Sequence, residues 1–350
     1  QGSGFAVRVP YLYLVPSNTA ANLIPLTGTS FDGTAGEPIP TGIVAFKAVD
    51  AAGLPVRNLP VAWTASGGRF TSMSSATDNY GVAFARPVLG SLPGTYNFTA
   101  QAGGLSITFK GYARRAPYIS AVVNAASFES GAPVAPGSYI AIFGANLSDT
   151  IRANAQARLP LAIDYVNVSF DVPSAGLSLP GRLTFVSPTQ VNVQVPWELA
   201  GYSEAKVKVT ISESYGNVVT VPLADYAPAF FEISGGIAAA LDENYQVVTG
   251  SNPVQRGRAV MLFLNGLGPV TNRPASGEPA LAAPLSETIT KPVVTIAGRD
   301  LTPDWSGLAP TLHGLYQINV TLPVDLPAGN LPVTVTIGGK TSKSSVLPVK

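Results

Sequence analysis

The sequence predicts an all-β protein of three consecutive β-sandwich domains, the last two related by internal duplication. Three observations predict it. No window carries a sustained i, i+3, i+4, i+7 apolar stripe with helix caps. Short alternating runs of Val, Ile, Thr and Phe recur instead between Gly, Pro and Asn, the punctuation of strands and tight turns. Two long stretches of the second half also repeat each other in order. The chain has 35 Gly and 31 Pro among 350 residues, which stays below the roughly 25–30% at which disorder becomes the better reading. The expected domains are residues 1–116, 117–226 and 227–350.

The first domain carries three strand-turn units. Ile43–Val49 leads through the turn Asp50-Ala51-Ala52-Gly53-Leu54-Pro55-Val56 into Val61–Ala65, a strand, an Asp/Gly turn and a strand that read as a hairpin. Thr77-Asp78-Asn79-Tyr80-Gly81 precedes Val82–Ala85, and Gly94–Ala100 is followed by Ile107–Phe109. Trp63 is the candidate to plug the core, as the largest apolar surface in the segment. Together, V-D-x-x-G-x-P-V at 49–56, V-x-W at 61–63, T-D-x-x-G-V-A at 77–83 and G-T-Y-x-F-T-A at 94–100 resemble the bacterial immunoglobulin-like repeats of invasin and intimin. The resemblance implies a seven-stranded sandwich of the kind used in stalks and adhesins, and it implies no catalysis.

Ala113-Arg114-Arg115-Ala116-Pro117 has the Pro and charge of a short linker, and the duplication follows it. Gly137–Leu147 parallels Gly257–Leu267 at an offset of 120, and Gln190–Pro196 parallels Gln317–Pro323 at an offset of 127. The seven-residue difference is one loop's worth. Both copies then close on strands, Ala205–Ile211 and Leu331–Ile337, which places a boundary near Ala227-Pro228. Val123–Phe128, Ala135–Gly137, Gln190–Trp197, Ala227–Phe231, Asn265–Pro269 and Gly314–Val320 resemble the uncharacterised C-terminal domain family of exported acidobacterial proteins. That resemblance spans residues 117–350 and implies an export-associated module of no stated task. All three domains are expected to be immunoglobulin-like.

Composition excludes several classes of function. Lys and Arg number 21 against 20 Asp and Glu, a net charge of +1, so no long-range field gathers nucleic acid or acidic lipid. Cysteine is absent, which removes both a disulfide framework and a thiolate metal site. Apolar runs such as Ala259–Leu264 have strand length, well short of a membrane span. Charged residues are only 12% against roughly 25% in an ordinary soluble domain, and Gln1 stands where a processed N-terminus would. Both fit a secreted or cell-surface protein whose signal peptide is removed before Gln1.

No catalytic, cofactor-binding or metal-ligating set is expected. His313 is the one histidine; with no G-x-S-x-G elbow, it reads as a loop or strand-end residue bonded to backbone. No HExxH, P-loop, dinucleotide or EF-hand spacing occurs, although a loop calcium site stays open. Acidic residues such as Asp50, Asp78, Asp149 and Asp242 sit in turn contexts, where the carboxylate folds back on the backbone. Along Gln190–Val195 and Gln317–Leu322, alternation sends the aliphatic residues to one face and the amides to the other. Gln190, Asn192, Gln194, Gln317 and Asn319 are therefore candidates for domain or subunit contacts. Trp197, Tyr202 and Trp305 are candidate ligand-facing aromatics, the alternative being packing under a loop. Val7, Val9, Tyr11, Tyr13 and Val15 alternate like a strand that could be exchanged with a neighbouring subunit or open its own domain.

The expectation is thus a non-enzymatic extracellular or cell-surface structural protein, a rod or a self-assembling appendage or filament subunit. An adhesin or glycan-binding module, meeting surface or matrix polysaccharide or protein, is the alternative. An accessory part of a secreted hydrolase is a further one. Self-association is expected, with no cofactor, no nucleic acid and no membrane span.

Overall fold

The computed structural model describes residues 17–350. They build three β-sandwiches, each around its own apolar cluster. Among the described residues, helix is confined to the 3-10 turns Pro173–Ala175 and Trp197–Leu199. By spatial clustering the chain forms two compact units, one reaching Ala116 and including Ser212–Ser214, the other comprising Pro117–Ile211 and Tyr215–Lys350.

In the first sandwich, one sheet is ordered Asn22–Pro25, Val44–Val49, Val82–Val88, Arg69–Met73. The facing sheet is ordered Ser30–Thr34, Leu105–Arg114, Gly94–Ala102, Val61–Ala65. Phe46, Phe98 and Phe109 fill the centre, fully buried. Trp63 is only partly buried and is no central plug. Its indole packs edge-on to Phe70 and beside Phe46 and Phe109, and its Nε1–H donates to the Ser74 carbonyl at 3.1 Å. That bond ties the ring to the sheet margin, where the Ser74 carbonyl lies.

The expected hairpin between Ile43–Val49 and Val61–Ala65 does not form. Val44–Val49 pairs with Asn22–Pro25 and Val82–Val88, whereas Val61–Ala65 pairs with Gly94–Ala102 in the opposite sheet. The turn does fold back, with the Val56 amide donating to the Ala48 carbonyl. Asn58, at a φ of 51°, and Pro60 then carry the chain across to the other layer. A local turn signal reports reversal of direction; which layer the next strand joins is a matter of packing.

The second sandwich packs Arg152–Ala153, Arg182–Val186, Gln190–Gln194, Tyr139–Ala145 and Tyr118–Asn124 against Leu177–Pro180, Val166–Val172, Glu204–Ile211 and Ser214–Pro222. The two layers are tied at one corner by Asn217, whose side-chain amide exchanges two hydrogen bonds with the Ile119 backbone. The third sandwich has a sheet of Ala229–Phe230, Ala259–Asn265, Tyr316–Thr321 and Trp305–Leu308, with Ala240–Asp242 also paired to Ala259–Asn265. Its other sheet is centred on Gly329–Ile337 and Ser345–Val349. Register repeats between the copies: Gln190 lies opposite Phe143 and Asn192 opposite Ala141, while Gln317 lies opposite Phe263 and Asn319 opposite Met261. The offsets of 120 and 127 read from the sequence thus join the same strand pair in each copy.

Candidate functional site

A buried polar cluster joins the two C-terminal sandwiches. Asn265 ends its strand fully buried. Its Nδ2 donates to Asn124 Oδ1 and to the Tyr139 carbonyl, both at 2.8 Å, and its Oδ1 accepts from the Tyr139 amide at 2.9 Å. Asn124 in turn donates from Nδ2 to the Ala227 carbonyl and accepts at Oδ1 from the Ala126 amide. Two asparagines thereby supply partners for backbone groups of both sandwiches in a buried site, the Tyr139 amide and the Ala227 carbonyl among them. Gln194, 1% exposed, adds a second pin, accepting from the Gly277 amide at 2.8 Å and donating to the Gly137 carbonyl.

Trp197 belongs to the second sandwich by sequence and to the third by packing. It is 3% exposed and lies in the core cluster of residues 230–349. Its amide donates to Ser276 Oγ, which donates to Glu198 Oε2, and the Arg273 guanidinium lies 6.0 Å from the ring centroid. Gly137, at a φ of 79°, makes room: a Cβ there would fall 2.2 Å from Cη2 of the indole. The expectation that Trp197 faces a ligand is corrected by this burial. The ring is drawn in because Pro196 and the following 3-10 turn direct it out of its own sheet toward the apolar end of the neighbour.

His313 serves the same junction. Its Nε2–H donates to the Ala157 carbonyl at 2.7 Å, and the His313 carbonyl accepts from the Tyr139 hydroxyl at 2.8 Å. Burial raises the Tyr139 phenol above its ordinary range, so at neutral pH it acts as a hydrogen-bond donor. Asp50, Asp78 and Asp242 each accept backbone amides two and four residues ahead. The Ser17 and Leu54 amides hold Asp50 below its ordinary carboxylate value, and the Gln246 amide first among several does the same for Asp242. Among the described residues no group of three or more His, Asp or Glu side chains could hold a metal ion.

The other candidates lie elsewhere. Gln190 Nε2 donates to Asn192 Oδ1 at 2.8 Å, and Gln317 Nε2 to Asn319 Oδ1 at 2.7 Å. These amides are half-buried on the outer faces of their sheets and pair within their own strands. They bond no neighbouring domain, unlike Gln194. Tyr202 is 36% exposed. Trp305 is half-buried, paired across the strands with Asn319, and its ring lies over Gly307. Val7, Val9, Tyr11, Tyr13 and Val15 fall outside the described residues.

No family model matches the sequence, and no curated protein sequence matches it. Solved structures to which the chain is similar include the C-terminal 282-residue fragment of intimin in complex with the intimin-binding domain of its translocated receptor. That match has 11% identity, covers 67% of this chain and 70% of that one, and has a TM-score of 0.35. FdeC, an Escherichia coli adhesin, matches at 15% identity over 97% of this chain and all of that one, with a TM-score of 0.25. The Bacteroides ovatus mixed-linkage glucan utilization locus protein SGBP-B, in complex with a mixed-linkage heptasaccharide, matches at 15% identity over 97% and 69%, with a TM-score of 0.29. At these scores the likeness carries no function across, and the reading rests on the residues themselves.

Sequence reasoning selected Gln194 and missed Asn124, Asn265, Ser276 and Gly277. A signal was available for two of them: Asn124 and Asn265 stand in segments singled out by the resemblance of residues 117–350 to an exported family. Nothing local distinguishes a strand-end asparagine that caps its own turn from one that reaches another sheet. Chemically, the junction holds amides and hydroxyls bonded to one another, and an indole that contributes packing, its Nε1 having no protein partner. It is built to hold two domains.

Proposed function

We propose that this chain is a non-catalytic structural segment of an extracellular or cell-surface protein, in which residues 117–350 act as one stiff element. The observation that carries the reading is the buried junction. A flexible tether needs no saturated asparagine pair, and it does not place one domain's tryptophan in the next domain's core. Satisfied buried polar networks specify a single arrangement, because any shifted one leaves orphaned donors and acceptors. The charge-poor, cysteine-free composition supports an exported protein whose stability comes from packed sheets. The finer reading is the exported family resembled by residues 117–350, with assembly of copies of the chain through residues 1–16.

Residual dipolar couplings on residues 117–350 test the stiffness directly. One alignment tensor should describe both sandwiches, and two unequal tensors would sink the reading. Ester, peptide and glycoside substrates should be left intact by the full chain; turnover abolished by His313→Ala in a folded protein would show an enzyme instead. Light scattering of the full chain against a deletion of residues 1–16 tests assembly, which predicts a larger particle for the intact chain.

A further inference from the structure

The duplication preserves more than a core. On the outer face of each copy, an aromatic residue stands across from a glutamine and a second aromatic across from an asparagine. In the second sandwich these are Phe143 with Gln190 and Phe185 with Asn192. In the third they are Phe263 with Gln317 and Trp305 with Asn319. Core packing does not require this, since outward positions of a sheet are free to change while inward ones are not. Neighbouring outward positions differ between the copies: Tyr139, Ala141 and Gln194, of which Ala141 and Gln194 are buried and Tyr139 and Gln194 are bonded into the junction, correspond to Ala259, Met261 and Thr321.

The chemistry of the preserved set is specific. Within each amide pair the glutamine Nε2 donates to the asparagine Oδ1, which leaves the glutamine carbonyl and the asparagine amino group unbonded by protein. An acceptor and a donor thus stand together between two ring surfaces. An amide pair could stiffen a strand on its own; the aromatic neighbours on adjoining strands add nothing to that task. Gly307, lacking a side chain, lets the Trp305 indole lie against the strand, since an added Cβ would sit 2.6 Å from its Cζ2. In the third sandwich the row Leu241, Met261, Asn319 and Trp305 crosses four strands, a span of about 14 Å at the usual strand spacing. None of these residues is charged.

We propose that the two outer faces carry related binding patches for a neutral polysaccharide, the more open one on the third sandwich, with sugar faces stacking on the aromatic rings and hydroxyls bonding the free amide groups. A neutral ligand matches the uncharged platforms, and a repeating polymer matches a site that itself occurs twice in one compact unit, where two weak contacts combine. This goes beyond the structural role above, because a stiff element without the platforms would serve that role equally well.

Affinity electrophoresis of the full chain in gels containing hydroxyethylcellulose, dextran or yeast mannan, with alginate as the acidic counterpart, tests it. Retardation in at least one neutral gel and none in alginate is expected. Trp305→Ala should weaken retardation roughly tenfold, as truncation of a central aromatic contact does. The pair Gln317→Ala with Asn319→Ala should weaken it as well while leaving the melting temperature near wild type, which separates loss of binding from loss of fold. Absence of retardation in every neutral gel overturns the proposal. So does retention by alginate alone, retardation that survives both variants, or variants that change only the particle mass in light scattering, which would make these faces a contact between copies.

Discussion

At the scale of single residues, Asn265 and Asp50 show how polar side chains do structural work here. Asn265 satisfies the Tyr139 amide and carbonyl together with Asn124 Oδ1. Asn265→Ala orphans the Tyr139 amide in a buried site, where an unmet group costs about 1–3 kcal/mol, and leaves the Tyr139 carbonyl and Asn124 Oδ1 only their bonds from the Ala125 and Ala126 amides, so the urea midpoint should fall. Gln190→Ala, on the outer face, should move stability by no more than about 0.5 kcal/mol. Asp50 differs in kind, because its contribution depends on charge. Its carboxylate is held below 3.8 by the backbone amides of Ser17, Leu54 and Ala52. That stabilisation is fully present above the unfolded value and is lost as pH falls through the lower folded value. Thermal melts of Asp50→Asn should therefore lie below wild type at neutral pH, and the gap should close as pH drops below 3.8.

At the scale of elements, the turn from Val195 through Trp197–Leu199 decides how the last two domains meet. The strand Gln190–Gln194 spends its aliphatic side chains on its own core and its last amide on Gly277. The next residues then hand Trp197 to the neighbour. Trp197→Ala should cost about 3–5 kcal/mol, the usual price of emptying a large aromatic site. Gly137→Ala should destabilise by a different route, since it meets the indole and occupies a left-handed backbone region that L side chains disfavour. If both variants unfold at the wild-type urea midpoint, the indole is not holding the junction. In the third sandwich the position matching Trp197 is Val324, which is exposed, with Gly257 beside it in the place of Gly137. The same end of the sandwich is thus used for docking in one copy and left open in the other.

At the scale of the whole molecule, residues 117–350 hold two hydrophobic clusters within one compact unit. Since one cluster is completed by a side chain from the other domain, the two should unfold together. Calorimetry on residues 117–350 should give a single transition whose calorimetric and van't Hoff enthalpies agree. Residues 227–350 alone, deprived of Trp197, should melt lower or fail to fold. Two resolved transitions in the longer fragment would show that the domains are independent despite the shared tryptophan.

The all-β class, the duplication and the inward faces of Gln190–Val195 and Gln317–Leu322 were legible in the sequence. These follow from period-two alternation and from turn chemistry, both set by residues a few positions apart. The turn carboxylates Asp50, Asp78 and Asp242 were legible for the same reason, because their partners are two and four residues away. Tertiary structure alone decided that Val61–Ala65 crosses to the opposite sheet, that Trp197 is buried in a neighbour, and that Asn124 meets Asn265 across 141 positions of chain. An outward-pointing side chain reads identically whether water or another domain lies beyond it. Which of the two it meets depends on where distant segments come to rest.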